Sequence, residues 1–141
     1  MNRTLLSCLA LALTLALTSA PGLAQVWQEQ GEAGDLPGTE QIPQGNGPLT
    51  TIRGLIGPDG DADMYCISIP DPAAFSASTC NTTSIDTQLW LFDGQGIGIT
   101  YDDDDPSGCG LQSTITALAC PFPPGSYLLA ISSYNYDAVN A

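Results

Sequence analysis

The sequence predicts an all-β protein, an antiparallel β-sandwich of jelly-roll type with about seven to eight short strands. Three observations predict it. Short runs of β-type residues follow one another at spacings of roughly 8–15 residues. Gly- and Pro-rich turns separate them. No stretch of the exported portion has the apolar period of a helix.

The chain opens on a segment that is not part of that fold. Arg3 gives a positive start, Leu5 to Leu17 is apolar, Pro21 breaks the run, and Gly22-Leu23-Ala24 puts small residues before Gln25. This is the pattern of a secretory signal peptide, residues 1–24, cleaved after Ala24. The apolar run is short for a transmembrane helix, and nothing later is long enough to span a bilayer. The expected location is therefore outside the cell, or in the periplasm or cell envelope. Residues 25–48 read as an N-terminal arm or linker. Glycines and prolines recur through it, which forbids a helix, and Trp27 and Leu36 are its candidate anchors.

Residues 49–141 are expected to form the domain. Leu49 to Ile56 is the first run, and Gly57-Pro58-Asp59-Gly60 turns the chain. Asp63 to Ile69 is the second, with Tyr65, Ile67 and Ile69 on one face. Phe75 to Cys80 is the third, with Phe75, Ala77 and Thr79 on one face. Thr87 to Phe92 and Ile97 to Tyr101 form a hairpin about the turn Asp93 to Gly96, the first of them apolar on both faces. Leu111 to Leu118 alternates Leu111, Ser113, Ile115 and Ala117. Ser126 to Ser132 is nearly continuous apolar sequence, which suits a central strand. The chain stops soon afterwards, where a sandwich would usually add one more strand.

Cys8 leaves with the leader, so Cys66, Cys80, Cys109 and Cys120 remain. Four cysteines in a small exported domain imply two disulfides, with three possible connectivities. Pairing of the second run with the third would set Cys66 opposite Cys80 and leave Cys109 for Cys120. A jelly roll that sends consecutive strands to different sheets would pair them otherwise.

Charge excludes several function classes. All 15 acidic residues lie beyond Ala24, where Arg53 is the sole basic side chain and histidine is absent. Such a chain cannot neutralise nucleic-acid phosphates and has no attraction to anionic lipid. Without histidine or lysine there is no Ser-His-Asp, Cys-His or Ser-Lys arrangement. No particular pair among the many aspartates stands out for glycoside hydrolysis. The expectation is a protein that is not an enzyme.

The acids gather in turns. Asp59, Asp61 and Asp63 have the alternate spacing of a calcium loop, although Met64 and Pro70 stand where an EF-hand needs Gly and Glu. Asp86 and Asp93 flank the Thr87–Phe92 run, and Asp102, Asp103, Asp104 and Asp105 are consecutive. Asp59, Asp61, Asp63, Asp86, Asp93, Asp102, Asp103 and Asp104 are the candidate calcium ligands. Solvated acidic turns are the competing reading, because Asp and Gly are common turn residues. Asn81-Thr82-Thr83 matches a glycosylation tripeptide, which argues for an exposed loop. Trp90, Tyr101, Tyr127, Tyr134 and Tyr136 are candidates for a binding face, with Trp90 and Tyr127 better suited to the core.

Five motifs occur in a recognisable order. They are Ile52-Arg53-Gly54-Leu55-Ile56, Gly60-Asp61-Ala62-Asp63-Met64-Tyr65, Asp86-Thr87-Gln88-Leu89-Trp90-Leu91-Phe92-Asp93, Asp102-Asp103-Asp104, and Pro124-Gly125-Ser126-Tyr127-Leu128-Leu129. Together they resemble the bacterial pre-peptidase C-terminal domain over about Leu49 to Ser133. The resemblance implies a jelly-roll sandwich attached to exported proteins, not itself catalytic, which in some members binds calcium or matrix polymers. By position, Asp61 and Asp63, Asp86 and Asp93, and Asp102 and Asp103 match the family's acids. The four cysteines and the lack of an accompanying peptidase depart from the pattern.

The expected function is a secreted, non-catalytic accessory module that binds or stabilises a polymer or protein outside the cytoplasm, with calcium as its only candidate cofactor. The alternatives are a structural component of envelope or matrix, and a fragment of a longer exported hydrolase.

Overall fold

A computed structural model describes residues 22–57, 60–105, 108–116 and 121–137. Most of the leader segment, Asp59 and Cys120 lie outside the described residues. The described residues form eight strands: β1 (Gln25–Gln28), β2 (Leu49–Arg53), β3 (Ala62–Ile69), β4 (Ser76–Ser78), β5 (Thr87–Asp93), β6 (Gly98–Asp102), β7 (Thr114–Thr116) and β8 (Gly125–Ser133). One turn of 3-10 helix, Pro72–Ala74, is the sole helical element among the described residues, and Asp71 caps it by accepting the Ala73 N–H at 3.1 Å.

The main sheet is antiparallel, in the order β3-β8-β5-β6. β8 lies at its centre, as its unbroken apolar sequence requires. Two smaller sheets complete the fold: β4 with β7, antiparallel, and β1 with β2, parallel. The protein is an all-β sandwich, and its described strands form one four-stranded and two two-stranded sheets.

Alternation along the strands puts Tyr65, Ile67 and Ile69 of β3, Leu89 and Leu91 of β5, and Tyr127 of β8 on one face of the main sheet. Ile115 of β7 and the partly buried Ile52 of β2, Ala77 of β4 and Trp27 of β1 meet them and close the core. Leu91 is fully buried at its middle. A bulge leaves Ile99 as the extra residue of β6, between the Leu91–Thr100 and Phe92–Gly98 pairs, and Ile99 packs against this core. The other face of the sheet carries a second apolar group, Met64, Phe92, Leu128 and Ala130, with Cys66 and Trp90 beside it. Both faces of β5 are therefore apolar, as its sequence indicates.

The hairpin expected between the second and third runs does not form. β3 pairs with β8, so Cys66 stands opposite Leu128, while β4 pairs with β7 in the other layer. Cys80 instead bonds Cys109, with their Cα atoms 5.5 Å apart, and Cys66 is a free, half-buried thiol. The Cys66–Cys80 pairing is thus corrected: consecutive strands sit in different sheets, and the connection through Pro72–Ala74 crosses between them. Cys109–Cys120 falls with it, because Cys109 is already bonded.

The arm is integrated into the fold. β1 runs alongside β2, Trp27 packs on the core, and Ala33 is fully buried. Gln41 bridges to the edge of β3, its N–H donating to the Met64 carbonyl (2.9 Å) and its carbonyl accepting from Cys66 N–H (2.8 Å). Leu36, the other expected anchor, is exposed.

Candidate functional site

The candidate carboxylates do not form one site. They gather in two groups, with two residues standing apart. Glu32, Asp61 and Asp63 each offer an oxygen lying within 4.8 Å of the others, and so do Asp86, Asp103 and Asp104.

The first group lies where the arm meets the start of β3. Asp63 is the second residue of β3, and alternation with Tyr65 and Ile67 commits it to the core face. Only 1% of Asp63 is exposed. Its Oδ1 is buried and has no hydrogen-bond donor. Burial pushes its carboxyl up to about 7, and the charges of Glu29, Asp61 and Glu32 push the same way. Asp61 accepts the backbone N–H of Gly57, which closes the turn. Asp61 in turn raises the exposed Glu32 carboxyl above its ordinary range. Glu29 reaches in from the end of β1. Its Oε1 accepts Ala33 N–H at 3.0 Å and its Oε2 accepts Leu55 N–H at 2.9 Å. Burial first, then the Asp63 charge, also raises the Tyr65 phenol.

The second group lies at the start of β5. Asp86 and Asp103 are half-buried, and each has an Oδ1 that is buried without a donor. Burial raises the Asp86 carboxyl, and Asp104 adds to it. Burial, then Asp104, Asp86 and Asp137, raise Asp103, against a lowering hydrogen bond from Gln88. Gln88 also donates to Asp137 Oδ1 at 3.1 Å. The backbone here is pinned: the Asp86 carbonyl accepts Tyr134 N–H at 2.9 Å, and the Asp103 carbonyl accepts the Ser113 hydroxyl at 2.8 Å.

Asp93 and Asp102 serve the fold instead. Asp93 Oδ1 accepts N–H groups from Gln95 (2.8 Å) and Ile97 (2.9 Å), which builds the β5–β6 turn. Asp102 Oδ2 accepts Thr114 N–H at 2.6 Å, joining β6 to β7.

Glu29 and Glu32 were not legible as site residues. They sit in an arm without strand alternation, and their approach to Asp63 depends on the parallel pairing of β1 with β2. The recurrence of acids at Glu29, Glu32 and Asp35 beside Trp27 was the one available signal.

On the outer face, Trp90 and Tyr101 stack with centroids 4.9 Å apart, at the mouth of an open depression that also touches Phe92 and Thr100. Tyr134 and Tyr136 are exposed, and Tyr127 is buried.

No protein-family model, no curated protein and no solved structure matches this chain.

What the groups can do chemically follows from their composition. All their donors are hard carboxylate oxygens, which suit calcium and magnesium and not the soft metals. Among the described residues no helix is long and apolar enough to cross a membrane.

Proposed function

We propose that this chain is a secreted, non-catalytic β-sandwich module of pre-peptidase C-terminal type, with a binding or stabilising role outside the cytoplasm and calcium held at its acidic turns. The observation that carries the reading is that the Oδ1 atoms of Asp63, Asp86 and Asp103 are buried and none of the three has a donor of its own. Buried carboxylate is costly unless something pairs with it. Beyond residue 24 the protein has one basic side chain, the exposed Arg53. Two groups of acids cannot both be neutralised by it, so a cation from outside the chain is the natural counter-charge. Extracellular fluid supplies calcium at concentrations that suit weak modules, whose dissociation constants run to about 10⁻⁴–10⁻³ M.

The order of the five sequence motifs supports the family and its jelly-roll connectivity. The leader-like first 24 residues and the disulfide between Cys80 and Cys109 support export. The stacked Trp90 and Tyr101 offer a flat aromatic surface of the sort that polymer-binding modules use.

Sedimentation with insoluble collagen, chitin and cellulose, with calcium and with chelator, tests the reading. Calcium-dependent retention on one polymer is the expected result. Absence of retention on all three, with no calcium uptake, would leave a purely structural component as the better account.

A further inference from the structure

We propose that the outer face of β5 and β6 is a docking surface for an extended, arginine-bearing segment of a partner protein, with one guanidinium stacked on Tyr101 and the next basic residue on the same side of the segment held by Asp103 and Asp104. The inference rests on the binding role proposed above, not on calcium, and names the chemistry of the partner.

Three observations carry it. The first is a fixed aromatic platform. Trp90 and Tyr101 stand opposite one another in the β5–β6 register and stack at 4.9 Å, with their planes 17° apart. The Trp90 ring is held by its Nε1, which donates to Ser132 Oγ at 3.4 Å. Tyr101 covers it and is itself 62% exposed. Gly98 adds no side chain nearby, so the depression lined by Trp90, Phe92, Thr100 and Tyr101 stays open.

The second is negative charge one strand step away. Residues two apart on a strand share a face and lie about 7 Å apart. Asp103 follows Tyr101 by that step, and its hydrogen bond with Gln88 sets it on the Trp90 side of the sheet. Asp86 and Asp104 each bring an oxygen within 4.8 Å of it, and Gln88 holds Asp137 Oδ1 beside them at 3.1 Å. The third is the lack of internal counter-charge. Beyond residue 24 the chain has 15 acidic side chains and one basic one, Arg53, which ends β2 in a different sheet.

Arginine suits this surface better than lysine. Its planar guanidinium stacks on an aromatic face and still presents N–H donors at its edge, whereas an ammonium is a compact, strongly hydrated charge. Carboxylates only accept hydrogen bonds and guanidinium only donates them. An extended segment with basic residues at alternate positions repeats the step from Tyr101 to Asp103. The field of the acidic chain draws such a segment in, and the aromatic stack selects it at contact.

The experiment titrates the full chain with a capped peptide carrying arginine at alternate positions, in chelator so that no divalent ion competes for the carboxylates. Calorimetry reads affinity. Tryptophan emission reads place, because Trp90 lies against Tyr101 while Trp27 packs on the core. One site is expected, with the lysine counterpart bound about tenfold more weakly. Tyr101→Ala should lose about tenfold in affinity, and Tyr101→Phe, which keeps the ring, should not. Asp104→Asn should weaken binding and flatten its salt dependence. Glu32→Gln, which removes the same charge from the other acidic group, should change neither. Circular dichroism checks that each variant keeps its β-structure. If both peptides bind alike and Tyr101→Ala binds as the wild type does, only the diffuse field of an acidic chain is at work and the docking surface is overturned. Equal losses in Asp104→Asn and Glu32→Gln overturn it in the same way. If no peptide binds at millimolar concentration but retention on an insoluble polymer persists, the docking surface falls and the binding reading survives. If a neutral chitin or cellulose oligomer binds in place of the peptide and Tyr101→Ala abolishes that, the platform takes sugar and the arginine partner is overturned.

Discussion

Glu29 accepts the backbone N–H of Leu55 at 2.9 Å, across 26 residues of sequence. With its other oxygen it accepts Ala33 N–H, so one side chain joins the end of β1, the loop that follows it and the exit from β2. Glu29→Ala removes the acceptor for both N–H groups. The expected cost is about 1.5–3 kcal/mol, the range for hydrogen bonds to a charged group. Chemical denaturation measures it, and Glu29→Gln, which keeps an acceptor oxygen, should cost less.

The carboxyl of Asp63, raised to about 7 from its ordinary 3.8, sets a pH dependence in chelator. Between these values the unfolded chain has lost the proton that the folded chain still holds. The folded state binds more protons there, so stability falls as pH rises from about 4 to about 7. Tyr65, Glu29, Asp61 and Glu32 are the titratable groups that bear on it. Denaturant melts across this window should show the decline, and Asp63→Asn should flatten it. Saturating calcium should remove or invert it, because the ion needs the ionised form.

The positions of β2 to β8 were legible because each lies in a short β-type run separated from the next by turn residues, and each such run has its strand. Their pairing was not. β3 finds its partner in β8 at the far end of the chain, and no local signal marks that choice. The cysteine pairing failed for the same reason, since it assumed that neighbours in sequence are neighbours in the sheet. β1 was missed because four residues among many breakers show too little alternation, and its partner β2 is parallel and distant. The site was half legible: Asp61, Asp63, Asp86, Asp103 and Asp104 announce themselves by spacing, whereas Glu29 and Glu32 reach the site only through that β1–β2 pairing.

Cys80 and Cys109 should be recovered as one cross-linked peptide pair from a non-reduced digest. The loop between them spans 29 residues, for which chain entropy gives a stabilisation of about 3–4 kcal/mol. Reduction, or a Cys80→Ser, Cys109→Ser double variant, should lower stability by that order. Cys66→Ser breaks no bond to Cys80 or Cys109 and should cost less.

A buried polar seam joins the layers. The hydroxyls of Thr79 and Thr87 lie 2.6 Å apart, and Thr79 Oγ1 also accepts Ser113 N–H at 3.0 Å. Thr79→Val keeps the shape and deletes the acceptor, leaving a buried N–H unsatisfied. The expected loss is about 1–3 kcal/mol, read as a shift in denaturation midpoint at unchanged slope.

The central claim is that the acidic turns hold calcium, and a thermal melt of the chelator-treated full chain, repeated over a calcium titration, tests it most directly. The midpoint is predicted to climb with calcium concentration, by the equivalent of about 2.7 kcal/mol at 100 times the dissociation constant. A midpoint that stays level to about 10 mM calcium, well above the range of extracellular modules, would contradict it.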